Sequence, residues 1–226
     1  MSGATEAEEP ATGLARVGQG LVEQLLRLGM DGFGPFKSAQ ESALGALEGR
    51  TREQAVARLI RNHCLVAGSQ GAVTSLGGFI VMPATLPANL GASYLIQTHL
   101  AASIAHVYGH DLKSEEVRTA VLMCLLGNAG TEVLKQVGIT VSTKYTMTII
   151  KRIPIRVIRK VNKKVGFYLV AKYGTTRAVV TLGKGVPLVG AAVGGTIDAV
   201  ATKAVGSFSC SFFDGVGEES REVRKS

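Results

Sequence analysis

A run of forty-nine residues without Asp, Glu, Lys or Arg, from Asn62 to His110, constrains the fold of this chain more than any other feature. So long an uncharged segment cannot lie wholly on a solvated surface, so it has to lie in a protein core or in a membrane. The part from Cys64 to Met82 has the length of a membrane span, but its Gly, Ser and Thr make it only moderately apolar. We therefore expect a buried helix, a turn at Pro83 and Pro87, and a second helix from Pro87 to Tyr108. A true membrane span is the alternative.

The composition favours helices for the core that this run requires. Hydrophobic residues make up 46% of the 226 residues and the mean hydropathy is +0.24, yet aromatic residues make up only 5% and Trp is absent. Such a core is built from Ala, Val, Leu and Ile packed closely with Gly, which favours helices over a β-sandwich. We predict one compact all-α domain of several helices over residues 12–213. Residues 1–11 are predicted to be a disordered acidic segment and residues 214–226 a flexible polar tail.

Local signals predict where several helices begin and end. Apolar residues recur every three or four positions from Leu14 to Leu28, as in an amphipathic helix. Thr51 and Gln54 have the spacing of a capping box, and Ser114 precedes two glutamates in the manner of an N-cap. The segment Tyr145–Ile158 is rich in β-branched residues that partly alternate, so a short strand is an alternative there.

Glycines predict that the apolar helices pack with their backbones close together, since small residues at helical spacing permit such contact. The glycines that we assign to helix packing are Gly71, Gly77 and Gly78 in the uncharged run and Gly190 and Gly194 in a predicted helix Pro187–Val205. The resulting apolar core could open toward lipid or hold an acyl chain.

The main functional signal is a basic helix that begins near Pro154. No Asp or Glu occurs between Glu132 and Asp198, whereas twelve Lys and Arg residues do. On a helical wheel, the cations that fall within about 80° of Arg156 are Arg152, Arg159, Lys160, Lys163 and Lys164. Apolar residues fill the opposite side, namely Val157, Ile158, Val161, Val165, Tyr168 and Leu169. Basic residues on one side with Ile, Val, Phe and Tyr on the other predict binding of an anionic lipid surface, with a merely solvated basic side as the alternative.

Binding to nucleic acid is disfavoured as the role of this helix. The chain contains no recognised binding motif, and few aromatic residues alternate with the basic ones.

The sequence predicts no catalytic residue. The segment Ala67–Gly71 resembles the turn that presents the serine of some hydrolases, but that turn follows a strand and precedes an acid and then a histidine. Here every acid beyond Ser69 lies downstream of the last histidine, His110. Close helix packing therefore explains this segment better, and a hydrolase that uses Ser69 is a secondary alternative.

Metal and cofactor sites are not predicted either. His99, His106 and His110 resemble metal ligands but lack the Glu of a zincin motif and Cys partners at zinc spacing. Residues 183–185 (Gly-Lys-Gly) precede a helix but lack the Ser or Thr of a phosphate loop. The three widely spaced cysteines and the lack of a secretory signal favour the reducing cytoplasm.

Several glycine-rich segments, taken in order, resemble the EcsC family. They are residues 71–83 (GAVTSLGGFIVMP), Leu86-Pro87, residues 104–109 (IAHVYG), and residues 186–195 (VPLVGAAVGG) followed by Asp198 and Thr202. The likeness covers about residues 50–210 and leaves out the first fifty residues. It implies a bacterial helical protein, encoded in some members beside an ABC transporter, and it brings no established catalytic residue.

These observations predict a non-enzymatic, peripheral membrane-associated protein of the cytoplasm that binds an anionic membrane surface or lipid. One alternative is a module that docks a membrane protein such as a transporter subunit. Another is an integral membrane protein.

Overall fold

The computed structural model describes residues 8–33, 36–76, 82–141, 146–182 and 187–214. Within these ranges the chain forms helices and no strand, apart from one isolated bridge between Phe33 and Phe36. In chain order the helices are α1 (Glu8–Asp31), α2 (Ala39–Leu47), α3 (Arg52–Leu76), α4 (Met82–Val107), α5 (Glu115–Leu126), α6 (Gly130–Gln136), α7 (Met147–Lys151), α8 (Ile155–Leu182) and α9 (Pro187–Phe213). The predicted all-α fold is confirmed.

Side-chain caps fix the starts of several helices, because the first backbone N–H groups of a helix have no partner within it. The Thr51 N–H donates to Gln54 Oε1 at 3.1 Å, and the Gln54 N–H donates to Thr51 Oγ1 at 3.4 Å. The Ser114 hydroxyl accepts from the Val117 N–H at the start of α5. Gly109, with a φ of +82°, follows the end of α4. Both predicted caps are therefore confirmed.

One local prediction was wrong, and one alternative is not realised. The predicted turn at Pro83 and Pro87 lies inside α4, which begins at Met82. Pro83 is tolerated there because first-turn N–H groups have no intrahelical acceptor, whereas Pro87 removes one backbone donor. The alternative strand over Tyr145–Ile158 is replaced by α7 and the start of α8, although Tyr145 itself lies outside the described residues.

The core is centred on α4 and α5. Helix α4 contacts α1, α2, α3, α5 and α9, while α3 packs along α9 and α1 packs along α8. Every residue from Ile96 to Ala105 on α4 and from Thr119 to Leu126 on α5 is buried. The uncharged run thus contributes part of the domain core in its described portion.

Only one stretch in the described ranges is long and apolar enough to cross a membrane, judged by length and composition. It is Glu115–Gln136, with a mean hydropathy of 1.2, and 67% of its apolar window is buried inside the domain. Core helices meet the same criteria, so this stretch is weak evidence for a span.

Glycines allow close approach of helices at several places in the described part of the chain, two of them backbone to backbone. A Cβ atom on Gly18 of α1 would lie 2.6 Å from the carbonyl carbon of Gly166 on α8. A Cβ on Gly68 of α3 would lie 3.5 Å from the carbonyl oxygen of Gly195 on α9. Of the predicted packing glycines, Gly71 lies in α3 and both Gly190 and Gly194 lie in α9, but their surroundings are not described. Gly77 and Gly78 lie outside the described residues.

Candidate functional site

Helix α8 is anchored to the domain along its apolar side. Ile158, Val161, Val165 and Leu169 are fully buried, and the helix contacts α1 and α5. The Thr119 hydroxyl of α5 donates to Asn162 Oδ1 at 2.9 Å, which fixes the rotation of α8 about its axis. The apolar side is therefore occupied by the domain and is not free to enter a lipid layer.

The opposite side of α8 carries exposed cations. We use "basic face" for the exposed residues Arg152, Arg156, Arg159, Lys160, Lys163 and Lys164. Arg152 is the C-cap residue that follows α7, and the other five lie on α8. Among the described residues, no carboxylate lies within the 4.0 Å that defines an ion pair with any of them. The charge of the basic face is thus presented to solvent.

An aromatic side chain lies within the basic face. Phe167 is 39% exposed and lies about 20° from Arg156 on a helical wheel. Our sequence interpretation grouped phenylalanine with the apolar residues on the far side, which was wrong. Ile155, at the start of α8, is 44% exposed.

An apolar groove adjoins the start of α8. It has a volume of about 380 Å³ and is lined by Val137, Gly138, Ile139, Ile149, Arg152, Ile153, Pro154 and Val157. Among the described residues, Arg152 is the one charged residue in this lining. The groove was not predictable from the sequence, because it depends on how the segment after α6 packs against α7 and α8.

His63 of α3 and His99 of α4 form a buried pair that the sequence analysis did not predict. His63 Nε2 lies 2.8 Å from His99 Nδ1, and the Phe36 ring centroid lies 4.7 Å from the centroid of each imidazole. The outer nitrogens face carbonyl oxygens, His63 Nδ1 at 2.7 Å from Leu59 and His99 Nε2 at 2.9 Å from Lys37. Burial lowers the pKa of His63 to about 3 and also lowers the pKa of His99. The pair ties the segment before α2 to α3 and α4.

Ser42 lies beside this pair but is not arranged as a nucleophile. Its Oγ is 3.5 Å from His99 Nε2, the same nitrogen that faces the Lys37 carbonyl. A histidine that activates a serine has to accept the serine proton at that nitrogen. The Lys37 carbonyl oxygen can only accept, so His99 Nε2 carries the hydrogen that it donates there. That nitrogen therefore cannot accept the proton of Ser42.

The other histidines singled out in the sequence are separated from this pair. His110 Nε2 donates to the Phe213 carbonyl oxygen at 3.1 Å, and His106 is half-buried on α4. Across the described ranges, no group of three or more His, Cys, Asp or Glu side chains could hold a metal ion. The structure therefore does not bring His99, His106 and His110 together as ligands.

Ser69 lies within α3 and not at a strand-to-helix turn, so the geometry of the hydrolase turn is not present there. Its hydroxyl donates to the Val66 carbonyl oxygen at 2.9 Å.

The three cysteines are free thiols. Burial raises the pKa of Cys124 to about 12 and that of Cys210 to about 11, and it also raises the pKa of Cys64. Because the thiolate is the reactive form, these thiols are poor nucleophiles at neutral pH.

A model of a known family, the EcsC protein family, matches residues 34–214. The matched segment begins before the resemblance that we predicted over about residues 50–210, and it includes α2. Neither a curated protein nor a solved structure matches the chain. Because the family match spans most of the 226 residues, this protein belongs to the EcsC protein family.

Proposed function

We propose that the protein binds anionic membrane surfaces peripherally, on the cytoplasmic side, through the basic face. The observation that carries this proposal is the set of six exposed cations with no ion-pair partner among the described carboxylates. Each Lys or Arg near an anionic leaflet contributes about 1 kcal/mol, so the basic face could supply several kcal/mol of reversible binding.

The proposed contact differs from that of a typical interfacial helix, whose apolar side enters the lipid. The apolar side of α8 is buried in the domain, so headgroups meet the cations while Phe167 and Ile155 enter the interfacial layer. Phenylalanine is among the apolar residues that interfacial helices bury at the boundary between headgroups and acyl chains. The groove beside Arg152 supports the proposal further, since it places apolar surface next to a cation that can bind a phosphate.

Vesicle flotation tests the proposal. The protein is mixed with vesicles of phosphatidylcholine alone or with added phosphatidylglycerol, and we expect it to float only with the anionic vesicles. The variant Arg159→Glu/Lys163→Glu should lose most of this binding. The matched control is Arg58→Glu/Arg61→Glu on α3, which reverses two other exposed cations and should bind as the wild type does. Equal binding to both vesicle types, or equal loss in both variants, would contradict the proposal.

A protein partner is the alternative occupant of the basic face. Aromatic and arginine residues are enriched at protein interfaces as well. If the Arg159→Glu/Lys163→Glu variant floats normally but fails to retain a membrane protein from a detergent extract, the basic face is a docking surface for that protein, such as a transporter subunit.

A further inference from the structure

A second cavity lies between α4, α5 and α9, and no residue of the basic face lines it. Its volume is about 440 Å³, which lies within the range of small-molecule sites. Apolar side chains form most of its wall, among them Leu125, Ile197 and Phe208.

Two polar side chains on α4 face this cavity, and no described residue gives either of them a hydrogen-bond partner. Ser93 is 7% exposed and Gln97 is 5% exposed, and both line the cavity. Neither side chain has a hydrogen bond or electrostatic partner within the described part of the chain. Buried polar side chains in proteins usually have a hydrogen-bond partner. The polar group of a ligand in the cavity could supply that partner.

The charge of the lining restricts the ligand. Asp198 of α9 is buried and lines the cavity, whereas no Lys, Arg or His among the described residues does. A carboxylate accepts hydrogen bonds and repels a second anion in a site of low polarity. A hydroxyl or an amine is therefore favoured over a carboxylate as the ligand's polar group.

We propose that this cavity binds a small neutral or singly cationic amphiphile. Its hydroxyl or amine meets Ser93, Gln97 and Asp198, and its apolar chain lies along Leu125 and Phe208. This site is independent of the basic face, which takes anions, so either proposal can fail without the other.

Three probes of equal chain length test the proposal, namely octanol, octylamine and octanoate. Their binding to the full chain is measured by calorimetry, and we expect octanol and octylamine to bind at least about tenfold more tightly than octanoate, since burying an unpaired charge is costly. Asp198→Asn should weaken octylamine and leave octanol nearly unchanged. The outcome that no probe binds, or that octanoate binds as tightly as octanol, overturns the proposal.

A cavity-filling variant locates the binding. Ala201 lines the cavity, so Ala201→Phe should abolish octanol binding while vesicle flotation is retained. If this variant does not fold, as judged by circular dichroism, Ala204→Leu fills another part of the same wall. Octanol binding that survives in a folded filling variant places the ligand elsewhere and contradicts the proposal.

Discussion

The buried pair of His63 and His99 has three short contacts but, when both rings are neutral, only two ring hydrogens to fill them. The outer nitrogens of His63 and His99 face carbonyl oxygens, so both have to carry hydrogen. The inner nitrogens, 2.8 Å apart, then need a third proton to form a hydrogen bond. That third proton would place a positive charge in the core, which burial opposes. In the neutral pair one of these three contacts is therefore left without a hydrogen.

Stability should fall as the pH is lowered. The pKa of His63 is about 3 in the folded chain, against an ordinary histidine value of 6.5, so the unfolded chain binds a proton that the folded chain does not. The contribution of His63 to the free energy of unfolding should therefore be level between about pH 7 and pH 8 and decrease by several kcal/mol toward about pH 3. Urea unfolding at several pH values measures this.

His63→Gln should flatten this decrease, because it removes the group that takes up the proton on unfolding. His106→Gln, on the same helix as His99 but outside the pair, is the matched control and should keep the wild-type pH dependence. An identical decrease in wild type and His63→Gln would show that other groups cause it.

At the residue scale, the sequence predicted features that depend on neighbours along the chain. The Thr51 and Ser114 caps each involve a residue three positions further along the chain, so both caps could be predicted from the sequence. The contact between His63 and His99 joins two helices, and nothing in the sequence pairs one with the other. Phe167 was misassigned because its type indicates burial, whereas its position on the wheel places it among the cations.

Among the elements, α1 and α8 have the closest crossing that the described glycines reveal. Gly18 and Gly166 meet backbone to backbone, so a methyl group on either would overlap the other helix. Protein interiors are too densely packed to absorb such an overlap without moving a helix.

Gly18→Ala should therefore destabilise the protein by at least about 2 kcal/mol, because α1 has to move away from α8. The control is Gly20→Ala on the same helix, where a methyl group meets nothing within 4 Å. That change should stabilise the protein by about 0.5–1 kcal/mol, since alanine is the better helix former. Thermal unfolding of both variants measures the difference, and equal effects would show that the crossing is looser than described.

Elements with strong periodicity were predictable, and those without it were not. The apolar and basic positions of α8 follow the helical period, so its burial pattern could be predicted from the sequence. Helices α6 and α7 are short, with seven and five residues, and tertiary contacts rather than propensity stabilise helices of this length. The groove lined by residues of α7 and α8 could not be predicted from the sequence, because it too depends on tertiary contacts.

At the scale of the whole molecule, α1 lies outside the segment that the family model matches but inside the packed domain. The match begins at residue 34, whereas α1 contacts both α8 and α4. Removing α1 would expose apolar surface on α8 that is now buried.

A chain that begins at residue 34 should therefore unfold at a lower temperature than the full chain or aggregate. Removing only residues 1–7, which precede α1, is the control and should preserve the melting temperature. A stable, monomeric chain of residues 34–226 would show that the family segment folds without α1.

Because α8 is already folded and held on one side by the domain, its cations form a rigid array. Many membrane-active peptides become ordered only on contact with lipid, and that ordering opposes their binding. On the proposed function, this protein gives up little chain entropy when it docks, so its far-UV circular dichroism should not change with added vesicles. Raising the salt concentration should then release an intact, reusable molecule.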